Sequence, residues 1–180
     1  MKNRILLINS IPESWITKDI ESNMPPGLLA VGTWITKNSK FEVKIIDCMI
    51  EENYLDKIKK EIKKEDIIFA GLSVMSPCIP NAMEITRLIK KINPKIPVVW
   101  GGIHCKLYPE QTCRHKLIDF VIYGEGEKPS LNLANCLVNK KSPRKVKGII
   151  FKENGKVIRT EPEKPVDLNE LSVMNYELLN

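Results

Sequence analysis

Two kinds of apolar run alternate along the chain. Arg4 to Asn9, Ile67 to Ser73, Pro97 to Gly101 and Ile118 to Tyr123 are apolar with little interruption, the mark of strands buried on both faces. Phe41 to Asp47 alternates before it turns continuously apolar, as a strand nearer a sheet edge does. Between these runs, apolar residues recur at helical spacing and predict helices over Pro26 to Lys37, Tyr54 to Lys64, Asn81 to Ile92 and Lys128 to Asn139, with a shorter one over Pro109 to Arg114. Five strands joined by crossovers of this length require a parallel sheet covered on both faces. The expected architecture is a doubly wound α/β domain with strand order 2-1-3-4-5.

After Asn139 the pattern changes. Lys147 to Lys152 and Lys156 to Thr160 flank Glu153-Asn154-Gly155, and Asn-Gly between two strand-like runs is a strong hairpin signal. A C-terminal β-hairpin appendage is expected there. From Glu161 onward, prolines at 162 and 165 precede apolar positions at Leu168, Leu171, Val173, Met174, Tyr176, Leu178 and Leu179 with no clear period. Such a tail is expected to lie on another surface: the hairpin, or a further domain closing the sheet's carboxyl edge. The sequence thus divides into 1–140 as the sheet domain, 141–165 as a basic linker with the hairpin, and 166–180 as the tail.

Composition narrows the function classes. The chain's 180 residues are 43% hydrophobic and 28% charged, which excludes coiled coil, collagen and wholesale disorder. A net charge of +6 arises largely from lysines beside isoleucines at helical spacing, as in Lys57 to Lys64, where they coat a solvent face. No aromatic interleaves the basic segment Lys140 to Lys147, so nucleic acid is not an expected partner. The five cysteines at 48, 78, 105, 113 and 136 form neither CxxC nor CxxxCxxC and read as reduced thiols. No run approaches a membrane span or a signal peptide, and a cytoplasmic location is expected.

In an open parallel sheet, ligands bind beyond the carboxyl ends of the strands. The segments leaving the strands here are Ser10 to Pro25, which ends in Met24-Pro25-Pro26-Gly27; Ser73-Val74-Met75; Gly101-Gly102-Ile103-His104; and Gly124-Glu125-Gly126-Glu127. Five of the nine glycines, at 27, 101, 102, 124 and 126, lie on this edge. Any one of them could serve a tight turn, but the set points to a large ligand that touches the backbone. GxGxxG in the first turn and GxxxxGK[ST] are both missing, against dinucleotide and nucleoside triphosphate sites. Zinc is disfavoured at His104, Cys105, Cys113 and His115, because adjacent side chains diverge and the two-residue ligand spacing is lacking. His115 reads as a surface residue near a helix end, whereas His104 follows the paired glycines and is a candidate ligand contact.

The ordered string Pro25-Pro-Gly-Leu-Leu-Ala30, Asp47, Gly71-Leu-Ser73, Val98 to His104, Pro109-Glu110 and Asp119 to Glu127 resembles the N-terminal cobalamin-binding domain of radical SAM enzymes. The resemblance covers most of the first 140 residues and implies a Rossmann-like fold. Val166 to Leu171 followed by Tyr176 is similar to the segment that leads, in those enzymes, into a catalytic barrel. That barrel holds S-adenosylmethionine and a 4Fe-4S cluster through CxxxCxxC, which this chain lacks, so the barrel is an expected partner in the same or a longer polypeptide. The resemblance implies a cofactor site at Pro25, Pro26, Gly27, Ser73, Val74, Met75, Gly101, Gly102, His104, Gly124, Glu125 and Gly126. In it the serine contacts the nucleotide tail of cobalamin and the paired glycines let the tail's flat base slide past. The Asp-x-His-x-x-Gly of the wider cobalamin-binding family has no counterpart.

The function so implied is a cobalamin-binding module supporting methyl transfer from a cobalt centre to a weakly activated carbon or phosphorus of a small-molecule substrate. Its competitor is a non-catalytic Rossmann-like recognition domain of a radical SAM protein that binds no cobalamin. Three expectations accompany this reading. A side chain at Gly102 blocks the tail while the sheet still forms; the segment from Leu168 to Leu179 lacks a full partner in the isolated chain; and no histidine ligates cobalt from below, because Ser10 to Gly27 contains none.

Overall fold

The computed structural model describes residues 3–12, 25–171 and 173–179. Its strands are β1 (Arg4–Asn9), β2 (Glu42–Asp47), β3 (Ile67–Ser73), β4 (Val98–Gly101), β5 (Phe120–Ile122), β6 (Ile149–Glu153) and β7 (Lys156–Arg159). The helices are α1 (Pro26–Asn38), α2 (Tyr54–Ile62), α3 (Ile79–Ile92), α4 (Ile103–Leu107), α5 (Pro109–Cys113) and α6 (Glu127–Val138). One sheet takes the order β2-β1-β3-β4-β5-β6-β7, parallel through β5 and antiparallel beyond it. The doubly wound order holds over the first five strands, and the alternating strand, β2, is an edge.

Strand alternation feeds two cores. Leu6, Ile8, Ala70, Leu72, Val98 and Trp100 face α2 and α3, whose Ile58, Ile62, Ala82, Ile85 and Ile89 join the same cluster. Their neighbours Ile5, Leu7, Phe69, Val99 and Ile122 face α1 and α6 through Leu28, Leu29, Ile35, Leu133 and Ala134. Burial on both faces is what removed the period-two signal from β1 and β3. Trp100, the bulkiest buried side chain, donates its indole N–H to Thr86 Oγ1 at 3.0 Å, so its polar atom is satisfied inside the core.

Two segments differ from expectation. The hairpin forms at Asn154-Gly155, with φ of 50° and 75° as a tight turn with both central residues left-handed requires. Rather than standing apart as an appendage, it extends the sheet: β6 pairs with β5 through Phe120 and Phe151 and through Ile122 and Ile149. A three-residue parallel strand such as β5 would otherwise present unpaired backbone groups at an edge. The tail, expected on the hairpin or on a further domain, folds back onto α1 and β2 at the opposite edge. Leu178 is buried there, its Cδ1 filling the space that a side chain at Gly32 would need, and Asn175 N–H donates to Thr33 Oγ1 at 2.8 Å.

Candidate functional site

A groove of about 160 Å³ runs along the sheet between α1 and α6 and ends at the carboxyl edge. Register pairs Leu7 with Gly71, Gly71 with Val99 and Ser73 with Gly101, so these positions form successive steps of one floor on the α1/α6 face. Gly71 and Gly101 leave the floor low. Leu7 and Phe69 lean over Gly71, where a Cβ would come within 3.0 and 3.3 Å of them. Leu28 and Val31 of α1 form one wall; Gly126, Glu127 and Ser130 at the start of α6 form the other. The walls meet where Val31 packs against Gly126, so closely that a Cβ at 126 would lie 2.7 Å from Val31 Cγ2.

The glycines separate by physical cause. At Gly102, φ is +91° and a Cβ would sit 2.9 Å from both N and O of Val74, so the backbone itself needs glycine there. The expectation that a side chain at Gly102 spares the fold is therefore corrected: position 102 is strained for any side chain. Among the described residues, Gly27 and Gly124 have nothing within 4 Å of a Cβ, and Gly101 has only Ile122 Cβ at 3.9 Å. Neither packing nor dihedral angle calls for glycine at these three positions. They keep open a trough that side chains would fill.

Of the twelve residues expected in the site, Gly27, Ser73, Gly101, Gly102, Gly124, Glu125 and Gly126 line the groove. The other five do not line it. Pro25 and Pro26 start α1, Leu29 N–H donating to the Pro25 carbonyl at 3.1 Å. Val74 is buried and bridges two loops, donating to the Gly101 carbonyl at 2.9 Å and accepting from His104 N–H at 3.1 Å. Met75 is exposed at the rim. His104 in α4 has Nδ1 3.0 Å from Ser76 Oγ and its ring centroid 5.4 Å from that of Tyr108; burial pushes its pKa below the ordinary value. The strand-one loop from 13 to 24, including Met24, lies outside the described residues.

Gly71, Glu127 and Ser130 also line the groove and were not expected. Gly71 sits inside an apolar strand, where glycine reads as a weak point rather than a floor. A period-two count from Ser73 back to Gly71 and Phe69 would have placed it on the site's face. At the mouth, Lys106 Nζ lies 3.6 Å from Glu125 Oε1, an exposed pair that contributes little. In the segments that leave β3 and β4 beside the mouth, Met75, Ile103, Leu107 and Tyr108 are exposed apolar side chains on its rim. No group of three metal-ligating side chains occurs among the described residues.

A model of the B12 binding domain matches residues 21–134. The chain belongs to that family. It is 33% identical over 180 residues to the uncharacterized methyltransferase PH0819 of Pyrococcus horikoshii, covering 98% of this chain and 39% of that protein. It is 29% identical over 157 residues to the anaerobic magnesium-protoporphyrin IX monomethyl ester cyclase of Rubrivivax gelatinosus, covering 83% of this chain and 28% of the cyclase. Among solved structures, the radical S-adenosylmethionine methyltransferase TsrM of Kitasatospora setae, with cobalamin and a 4Fe-4S cluster bound, superposes with a TM-score of 0.76 at 20% identity, over 96% of this chain and 31% of TsrM. The cobalamin-dependent S-adenosylmethionine radical enzyme OxsB with aqua-cobalamin gives 0.75 at 21% identity, over 91% of this chain and 23% of OxsB. This B12 binding domain thus spans well under half of each of these larger proteins. Its groove suits the family's cofactor, for the trough held open by Gly27, Gly101 and Gly124 is what a flat ring system needs. No helix among the described residues is long and apolar enough to cross a membrane.

Proposed function

We propose that this domain holds the nucleotide tail of cobalamin in the groove between α1 and α6, with the corrin over the rim, as the cobalamin module of a longer radical SAM enzyme that transfers methyl groups. The observation that carries the reading is the trough: three glycines that nothing among the described residues requires keep its floor and mouth free of side chains. A cobalamin-free recognition domain would leave all three without a reason. When bound, cobalamin supplies a cobalt centre able to carry a methyl group, while the protein binds, orients and shields it.

Each part of the site has a task in this scheme. Leu7, Phe69, Val99 and Ile122 exclude water from the deep end, and Ser73 presents a hydroxyl at the mouth. Met75, Ile103 and Leu107 offer the ring an apolar bed. Pro25 and Pro26 fix the start of α1 that carries Gly27, and Val74 and His104 tie the loops after β3 and β4 together. A barrel domain carrying S-adenosylmethionine and the 4Fe-4S cluster, and a small-molecule substrate accepting methyl on carbon or phosphorus, complete the enzyme in a cytoplasmic setting. Methyl transfer is favoured by the likeness to PH0819 and TsrM.

Titration with hydroxocobalamin tests the scheme. One equivalent is expected to co-elute with the protein and to change colour from pink to amber. Gly101→Val, which suits a strand and meets only Ile122, should weaken uptake roughly ten- to hundredfold, the overpacking cost of about 1–3 kcal/mol, while thermal unfolding barely moves. No uptake by the unmodified protein, or equal uptake by the variant, overturns the proposal.

A further inference from the structure

Helical serines and threonines normally bond a backbone carbonyl one turn back or another protein group, and among the described α-helical residues all but one do. Thr36 Oγ1 donates to the Gly32 carbonyl at 3.1 Å and Thr112 Oγ1 to the Tyr108 carbonyl at 2.7 Å. Thr33 Oγ1 accepts from Asn175 N–H, and Thr86 Oγ1 from the Trp100 indole. Ser130, in the second turn's lead of α6, is the exception: it is 4% exposed, it lines the groove, and its hydroxyl has no hydrogen-bond partner among the described residues. A Cβ at Gly126 would lie 3.9 Å from Ser130 Oγ, which places the hydroxyl beside the glycine where α6 approaches α1.

The hydroxyl is not sealed in the core but opens onto the groove, and alanine, of nearly the same volume, would be the better helix former. Packing therefore gives no reason for serine at this position. Its neighbours Leu133 and Ala134 belong to the apolar core beneath α6, whereas Ser130 turns to the groove, where it and the half-buried Glu127 are the polar side chains that α6 contributes to the wall. We propose that Ser130 is a recognition residue of the groove, its hydroxyl hydrogen-bonding a ring nitrogen or oxygen of the nucleotide tail from the α6 wall, opposite the β-sheet side where Ser73 stands. This rests on the cobalamin reading above.

Cobinamide, which keeps the corrin and lacks the nucleotide tail, separates the two. In the intact protein, cobalamin should bind more tightly than cobinamide. Ser130→Ala should weaken cobalamin roughly three- to tenfold, the range of one hydrogen bond, leave cobinamide affinity unchanged and not lower the melting temperature. If the unmodified protein does not prefer cobalamin, the tail is not in the groove and both readings fall. If it does prefer cobalamin and Ser130→Ala binds as tightly, or loses both ligands equally, only the role of Ser130 is overturned.

Discussion

His104 illustrates how a residue's surroundings decide its chemistry. Its Nδ1 is engaged by Ser76 and its ring stacks at a tilt on Tyr108, so the imidazole is anchored within the loops that follow β3 and β4. Burial favours the neutral form; the folded-state pKa lies below the ordinary 6.5. The unfolded chain therefore takes up this proton first as pH falls through the ordinary histidine range, and stability should decline from about pH 6.5 downward. A nitrogen-15 titration of the ring checks the direction; a midpoint above 6.5 contradicts it. Because Ser76 and Tyr108 hold the His104 ring and Ser10 to Gly27 contains no histidine, bound cobalamin should keep its own base displaced and carry no histidine on cobalt. Spectra of the paramagnetic cobalt(II) form should show no nitrogen superhyperfine splitting; splitting that vanishes in His104→Ala would disprove this. Residue by residue, the site was legible where glycine broke the pattern at strand ends, and illegible at Gly71 and Ser130. Their roles depend on which face of a strand or helix meets the groove, a tertiary fact. Gly102 was placed correctly on the edge, but the approach of Val74 that makes it obligatory comes from a distant loop.

At the level of elements, the hairpin was readable because its turn is local, while its attachment was not, because β5 and β6 are joined by a helix and a linker. The attachment is specific. Tyr123 donates its hydroxyl to the Thr160 carbonyl at 2.7 Å, Arg159 lies 4.2 Å over its ring, and Arg159 also reaches Glu110 Oε1 at 2.7 Å. Tyr123 immediately precedes Gly124, so the hairpin steadies the loop that borders the groove. The ion pair is exposed and contributes little, leaving the cation–π contact at about 0.5–1 kcal/mol. Arg159→Ala should therefore lower the melting temperature by roughly 1–4 °C and speed amide exchange over 124–126. Unchanged exchange there would show that the hairpin does not steady the loop. The tail behaves similarly at the other edge: Leu178→Ala removes the side chain lodged over Gly32 and should raise exchange across 173–179 without unfolding the sheet. Retained protection would mean that Leu178 is not the anchor.

For the molecule as a whole, both sheet edges are managed and the carboxyl end is not. The β7 edge carries Lys156 and Arg159, charged residues that discourage strand addition, and the tail packs along β2. Apolar side chains remain exposed at the end where the strands finish: Met75 at 42%, Ile103 at 52%, Leu107 at 61% and Tyr108 at 50%. Three of these lie in or beside α4, a five-residue helix hidden in the sequence because one and a half turns carry no period. An exposed apolar group of this kind marks a contact surface, and under the proposed function the corrin of a cobalamin whose tail enters the adjacent groove is its occupant. A dye that fluoresces on apolar surfaces should therefore bind the cofactor-free protein at this rim and be displaced in proportion as cobalamin is added, reaching its floor at one equivalent. Leu107→Glu should lower the initial fluorescence and weaken cobalamin and cobinamide alike, since the rim meets the corrin that both possess, in contrast to Ser130→Ala. Dye fluorescence that persists at saturating cobalamin would place the corrin elsewhere and leave the rim to another partner.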